Sequence, residues 1–234
     1  MKIAPFRIEQ YFALHEFTAT HLLSSSDAES VSIADILALE PDAADQLFSQ
    51  QLGYTQSAGA PELRAAASAI YRTTTAHDIV VVSAAEEGIF AAYHALLQSG
   101  DHVVVETPCY ESALQLARST GAKVTEWKRS ADANWAHDLA ALERAFRPNT
   151  RLIYINTPHN PTGLMMPREV LDRVIELCAA RNAWLAEEPW NGRFVSFFDT
   201  SCPFQAGERG CFRRFTVDLL ARVIDLGKAK SYQS

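Results

Sequence analysis

From Asp78 onward, short runs of aliphatic and β-branched residues alternate with longer stretches of helical period. "DIVVVSA" reads as a strand, and "EEGIFAAYHALLQSG" as a helix with Ile89, Tyr93, Leu96 and Leu97 on one face, closed by Gly100. The strand "HVVVE", the helix "YESALQLARSTG" and the strand "AKVTEW" follow, then the helix "DLAALERAF" and the strand "RLIYIN". "PREVLDRVIELCAARN" opens a helix at Pro167 and leads to the strand "AWLAE", and "ARVIDLG" supplies a sixth strand. Most of these strands are apolar throughout, as expected when helices cover both faces of a sheet. The alternation predicts an α/β fold, an α/β/α sandwich with a mostly parallel sheet.

Residues 1–50 are more mixed, with "SSSDAES" in the middle and the helix "PDAADQLFSQQ" behind it, and read as an N-terminal arm ahead of a large domain over 51–234. Ser196 to Gly210 reads as a long irregular loop. With 234 residues, 48% of them apolar, the chain is long enough to bury a substantial core. A net charge of −7 without a basic block argues against nucleic acid as a partner. Polar residues interrupt "MKIAPFRIEQYFALHEF" before it could form a signal-peptide core, and no run approaches a membrane span, so the expectation is a cytoplasmic protein with no membrane partner. The four cysteines lack CxxC spacing, and no metal site is expected.

In an open parallel sheet, ligands bind beyond the carboxyl ends of the strands. After the first strand, Ser83, Ala84 and Ala85 lead into a helix whose N–H groups could hold a phosphate, although any strand-to-helix turn favours small residues. After the second, Pro108 fixes a turn that sets Tyr110 either flat on a planar ligand or into the core. In "TPHNPTGLMM", Pro161 restricts Asn160 to extended backbone, so its amide leaves the strand end in a fixed direction. Glu187 ends the strand "AWLAE", where a carboxylate could keep a ring nitrogen protonated or simply face solvent. Lys228 and Lys230 follow the last strand, and a lysine in that crevice could form a Schiff base with an aldehyde.

Together these residues resemble the class I/II aminotransferases, fold-type I pyridoxal-5'-phosphate enzymes, from about Leu52 to Lys230. "NPTG" behind a strand is the most specific piece, and Tyr54, Gly59, Leu63 and Arg64 match the family's Tyr-x-x-x-x-Gly-x-x-x-Leu-Arg segment. The resemblance implies that the N–H groups of Ala85 and Glu86 hold the cofactor phosphate, Tyr110 stacks on the ring and Asn160 donates to its phenolic oxygen. Lys230 would be the Schiff-base lysine and acid/base, with Lys228 as a rival, and Glu187 the pyridinium partner. Tyr54 would reach the phosphate in the neighbouring subunit of a homodimer. The substrates would be an amino acid and a 2-oxo acid.

Three departures stand out. "EEPW" replaces the family's "DExY", which puts Trp190 where a tyrosine hydroxyl is usual. The spacing from Gly227 to Lys230 is one residue short of the usual motif. Ser234 follows soon after Lys230, so the family's substrate-carboxylate arginine and C-terminal small domain are not in the sequence, and the expectation is a truncated form. The same ring contacts also serve carbon–sulfur lyases and cyclopropane-forming synthases, and a catalytically inactive cofactor-binding fragment is a further reading.

Overall fold

The computed structural model describes residues 3–24, 30–71 and 74–188, together with the backbone of 194–199 and 213–219. In chain order the elements are α1 (Arg7–His15), α2 (Ile33–Leu37), α3 (Ala43–Ser49), α4 (Pro61–Ser68), β1 (Ile79–Val82) and α5 (Ala85–Leu96). They continue with β2 (His102–Thr107), α6 (Glu111–Ser119), β3 (Lys123–Lys128), α7 (Leu139–Ala145), β4 (Thr150–Asn156), α8 (Arg168–Arg181), β5 (Trp184–Glu188), β6 (Phe194–Asp199) and β7 (Arg213–Leu219). The seven strands form one sheet in the order β1-β7-β6-β5-β4-β2-β3. Neighbouring strands are parallel except at β6, which runs antiparallel to both β5 and β7.

The apolar strands have the two-sided burial expected of them. Along β2, Val103 and Val105 face α5 and α6, where they pack with Ile89, Tyr93, Ala113 and Leu116. Val104 faces the other way, with Leu142 of α7 and Val174 and Leu177 of α8. Side chains alternate across a strand, so a sheet covered on both faces requires apolar residues at every position. The three valines are wholly buried, and each contributes about 1.5–3 kcal/mol relative to exposure. The register carries this pattern across the sheet: Val103 pairs with Leu152, Val104 with Ile153 and Val105 with Tyr154.

Helix α5 buries Ile89 and Tyr93 on the expected face, and α8 starts at Arg168, with Pro167 at its N-cap. One reading needs correction: β6 occupies part of the stretch expected to be an irregular loop from Ser196. The Pro-, Cys- and Gly-containing segment behind it masks the strand signal of "FVSFFD". β7 was also not expected, although Phe215, Val217 and Leu219 alternate with a period of two. The expected strand "ARVIDLG" lies outside the described residues.

Candidate functional site

A cleft of about 1200 Å³ opens at the carboxyl ends of β1, β2, β4 and β5. Ligand pockets commonly occupy about 300–1,000 Å³, so it has room for a cofactor and a substrate together. One wall is the start of α5, which presents Ala84, Ala85 and Glu86. Among the described residues no side chain caps this helix end. Its first N–H groups and the positive end of its dipole therefore face the cleft. Glu87 turns back instead, accepting from the Ser83 N–H at 2.7 Å.

Glu86 is unusual for its place. Its Oε1 accepts from Ser112 Oγ at 2.9 Å, while Oε2 is buried without a partner among the described residues. Burial pushes its carboxyl up to about 7 against the opposing Ser112 bond, and the nearby carboxylates of Glu188 and Glu9 add to the rise. It therefore holds its proton to higher pH than an ordinary glutamate.

The turn bearing Asn160 is held from several sides. Asn156, at the end of β4, donates from Nδ2 to the Glu188 carbonyl at 2.5 Å and accepts the Asn160 N–H at Oδ1. Thr157 donates its N–H to the same Glu188 carbonyl at 3.0 Å and accepts from the Met166 N–H at 2.9 Å. The buried imidazole of His159 lies 2.9 Å from the Pro108 carbonyl through Nε2 and 2.7 Å from Thr162 Oγ1 through Nδ1. A carbonyl only accepts, so Nε2 carries the hydrogen, and burial keeps the ring neutral by lowering its pKa. His159 thus joins the Asn160 turn to the turn carrying Tyr110. Gly163, at φ +73°, closes the loop by donating to the His159 carbonyl at 2.7 Å. The side-chain amide of Asn160, on the cleft wall, has no hydrogen-bond partner among the described residues.

At the end of β5 the cleft receives Glu188. Ile155 pairs with Glu187 and Asn156 with Glu188. Ile155 belongs to the core under α7 and α8, whereas Tyr154 and Asn156 line the cleft, so alternation sends Glu187 to the far face and Glu188 into the cleft. The Glu188 carboxylate accepts from the buried Tyr154 hydroxyl, and burial raises its pKa despite that bond.

Helix α1 crosses the mouth of the cleft, contributing Arg7, Ile8, Glu9, Tyr11 and Phe12 to its lining. Glu111, in the first turn of α6, accepts the α1 N–H groups of Arg7 at 2.5 Å and Ile8 at 3.2 Å, so a carboxylate from another element caps this helix. The Tyr110 hydroxyl donates to Glu9, and its ring meets Phe6 edge-on at 6.4 Å.

Of the residues singled out in the sequence, the cleft gathers Ala85, Glu86, Tyr110 and Asn160. Glu187 does not line it, whereas its neighbour Glu188 does. Tyr54 is fully exposed and also lies outside the lining. Trp190, Lys228 and Lys230 fall outside the described residues.

Sequence reasoning missed Asn156, Glu188 and the layer beneath them. There Glu106, at the end of the buried strand β2, meets Arg129 Nη1 and His137 Nε2, each at 3.1 Å, and the Asn156 N–H at 3.0 Å. A charge directly behind the three valines of β2 was the available signal, because a buried carboxylate requires partners.

A family model, aminotransferase class I and II, matches residues 23–186. Capreomycidine synthase of Streptomyces vinaceus is 28% identical over 221 residues, covering 94% of this chain and 56% of that protein. The aspartate/prephenate aminotransferase of Thermus thermophilus is 29% identical over 140 residues, covering 58% of this chain and 36% of that protein. Among solved structures, a PLP-dependent aminotransferase from Streptococcus suis superposes with a TM-score of 0.75 at 27% identity, covering 80% of this chain and 51% of that one. The chain spans about half the length of these relatives or less. With the sheet, the cleft and the Asn-Pro-Thr-Gly turn in place, the protein belongs to the class I and II aminotransferases, a family whose members depend on pyridoxal phosphate.

Proposed function

We propose that the protein transfers an amino group between an amino acid and a 2-oxo acid, with pyridoxal 5'-phosphate held in the cleft. The observation that carries this reading is the convergence on one cleft of the start of α5 and the amide of Asn160, both without side-chain partners among the described residues, and the carboxyl of Glu188. These groups suit a phosphorylated pyridine: N–H donors for the phosphate, an amide for the ring oxygen and a carboxylate for the ring nitrogen.

Five carboxylates line the same cleft, Glu9, Glu16, Glu86, Glu111 and Glu188. Their repulsion of a phosphate is reduced, because Glu111 caps α1, Glu9 accepts from Tyr110, and Glu86 and Glu188 hold their protons to higher pH than ordinary glutamates.

When bound, the cofactor supplies an electron sink for charge developing at the substrate Cα. In this reading Ala85 and Glu86 anchor the phosphate through their N–H groups, Tyr110 lies against the ring and Asn160 orients it. Glu188 takes the ring-nitrogen role first expected of Glu187, on the strength of its direction in β5. Lys230, with Lys228 as its rival, serves as nucleophile and then moves the proton at Cα. Exposed Tyr54 belongs with a homodimer, in which it reaches the site of the second subunit; the exposed side chains of Phe48 and Leu52 nearby favour such an interface.

The test is to add pyridoxal 5'-phosphate, record the visible spectrum, reduce with borohydride and map the modified peptide. A label on Lys230 is expected; no label, or one scattered over surface lysines, overturns the reading. A second reading, a different pyridoxal-phosphate reaction in the same cleft, is favoured by the 94% coverage of this chain in the match to a synthase. Conversion of bound pyridoxamine phosphate that depends on added 2-oxo acid would decide for transamination.

A further inference from the structure

Beneath the cleft lies a buried ionic cluster that takes no part in the contacts proposed above. Glu106 is wholly buried, and the side chains of Arg129 and His137 are 2% and 3% exposed. Burial alone would raise the Glu106 carboxyl, but the hydrogen bonds from His137 and the Asn156 N–H bring it below the usual value. It is therefore ionised and accepts through both oxygens, Oε1 from Arg129 and His137 and Oε2 from the Asn156 N–H.

Asn156 passes this constraint upward. Its backbone is fixed from below by Glu106, while its side chain holds the two neighbouring segments of the cleft, the Asn160 N–H through Oδ1 and the Glu188 carbonyl through Nδ2. A stabilising role alone would not call for this arrangement, because well-packed apolar residues replace a buried ion pair at little or no loss of stability. What the cluster adds is geometry: it fixes where the end of β4 stops, and with it the separation of Asn160 from Glu188.

We infer that Glu106 is a positioning residue for the cofactor ring, acting through Asn156 on Asn160 and Glu188. The inference rests on the cofactor reading above. It does not extend to the phosphate end of the cleft, because the start of α5 makes none of these bonds.

Glu106→Asp tests it. Aspartate keeps the charge that Arg129 and His137 require, but its side chain is one methylene shorter and withdraws the acceptor from Asn156. Three quantities are measured on the full chain: affinity for pyridoxal 5'-phosphate, affinity for inorganic phosphate, and amide exchange over residues 156–166 without ligand. The expected result is pyridoxal 5'-phosphate binding weakened about tenfold, the worth of one good hydrogen bond, with phosphate binding unchanged. Exchange should quicken over 156–166 and stay constant in β2 and α5. Equal weakening of both ligands, or unaltered exchange over 156–166, overturns the inference. Should Glu106→Asp unfold, Asn156→Ala replaces it with the same three measurements and the same expected pattern. Failure of the unaltered protein to bind pyridoxal 5'-phosphate defeats the functional reading, while the exchange measurement still decides whether Glu106 sets the turn.

Discussion

Replacing Glu86 by glutamine should stabilise the protein in a pH-dependent way. The carboxyl rises from 4.5 to about 7, chiefly because burial penalises its charge. The folded protein then holds this proton more tightly than the unfolded chain, so its contribution is most favourable below about pH 4.5, declines as the pH rises toward 7, and stays low above that. The displacement corresponds to about 3 kcal/mol. The positive end of α5 works against the loss by about 0.3–1 kcal/mol, since it favours a negative charge in the first turn. Glutamine keeps the shape and the bond to Ser112 but does not titrate. The variant should therefore lead the unaltered protein by somewhat under about 1 kcal/mol at pH 5 and by about 2–3 kcal/mol at pH 8. Urea unfolding at half-unit intervals from pH 5 to 8.5 measures the difference, and every other titrating group is common to both proteins. A gap that does not change with pH would refute the burial argument.

Other consequences are simpler to measure. Gly59→Ala should cost about 2–3 kcal/mol in thermal unfolding, because Gly59 has φ +103° and an added Cβ would lie 2.6 Å from the Val81 side chain. Asn160→Ala should leave folding stability within about 0.5 kcal/mol, since its amide has no partner among the described residues, yet weaken pyridoxal 5'-phosphate binding about tenfold by titration. The Cys109 thiol, pushed up to about 12 by burial and then by Glu188 and Glu106, should alkylate at pH 8 at least about a hundredfold more slowly than a free thiol, as followed by mass spectrometry of its peptide.

The parts of the fold that were legible in the sequence are those where local pattern and environment agree. The middles of β2 and β4, residues 103–105 and 152–155, are apolar at every position because both faces are covered, and α5 shows its buried stripe directly. The Asn160 turn was legible because two prolines and a glycine constrain it within ten residues. The choice between Glu187 and Glu188 was not, because adjacent carboxylates at a strand end have the same composition and differ only in face, which depends on pairing with β4. The packing of α1 across the cleft was likewise hidden, since it depends on Glu9 and Glu111 meeting partners about a hundred positions away in the chain. β6 and β7 were obscured by flanking residues that usually mark loops.

The sheet order also has a bearing on biosynthesis. Among the described residues, β1, which leads straight into α5, sits at the sheet edge and pairs with β7 alone. Between Val82 and Arg213 the ribosome must add about 130 residues, roughly 7–26 s at typical elongation rates. Throughout that interval the cleft-facing end of α5 hangs from a strand without its described neighbour, while β2, β3, β4 and β5 can already assemble. A nascent chain halted before residue 213 should accordingly protect β2 and β4 from exchange and leave β1 open, so the cofactor would be admitted only after translation has passed β7.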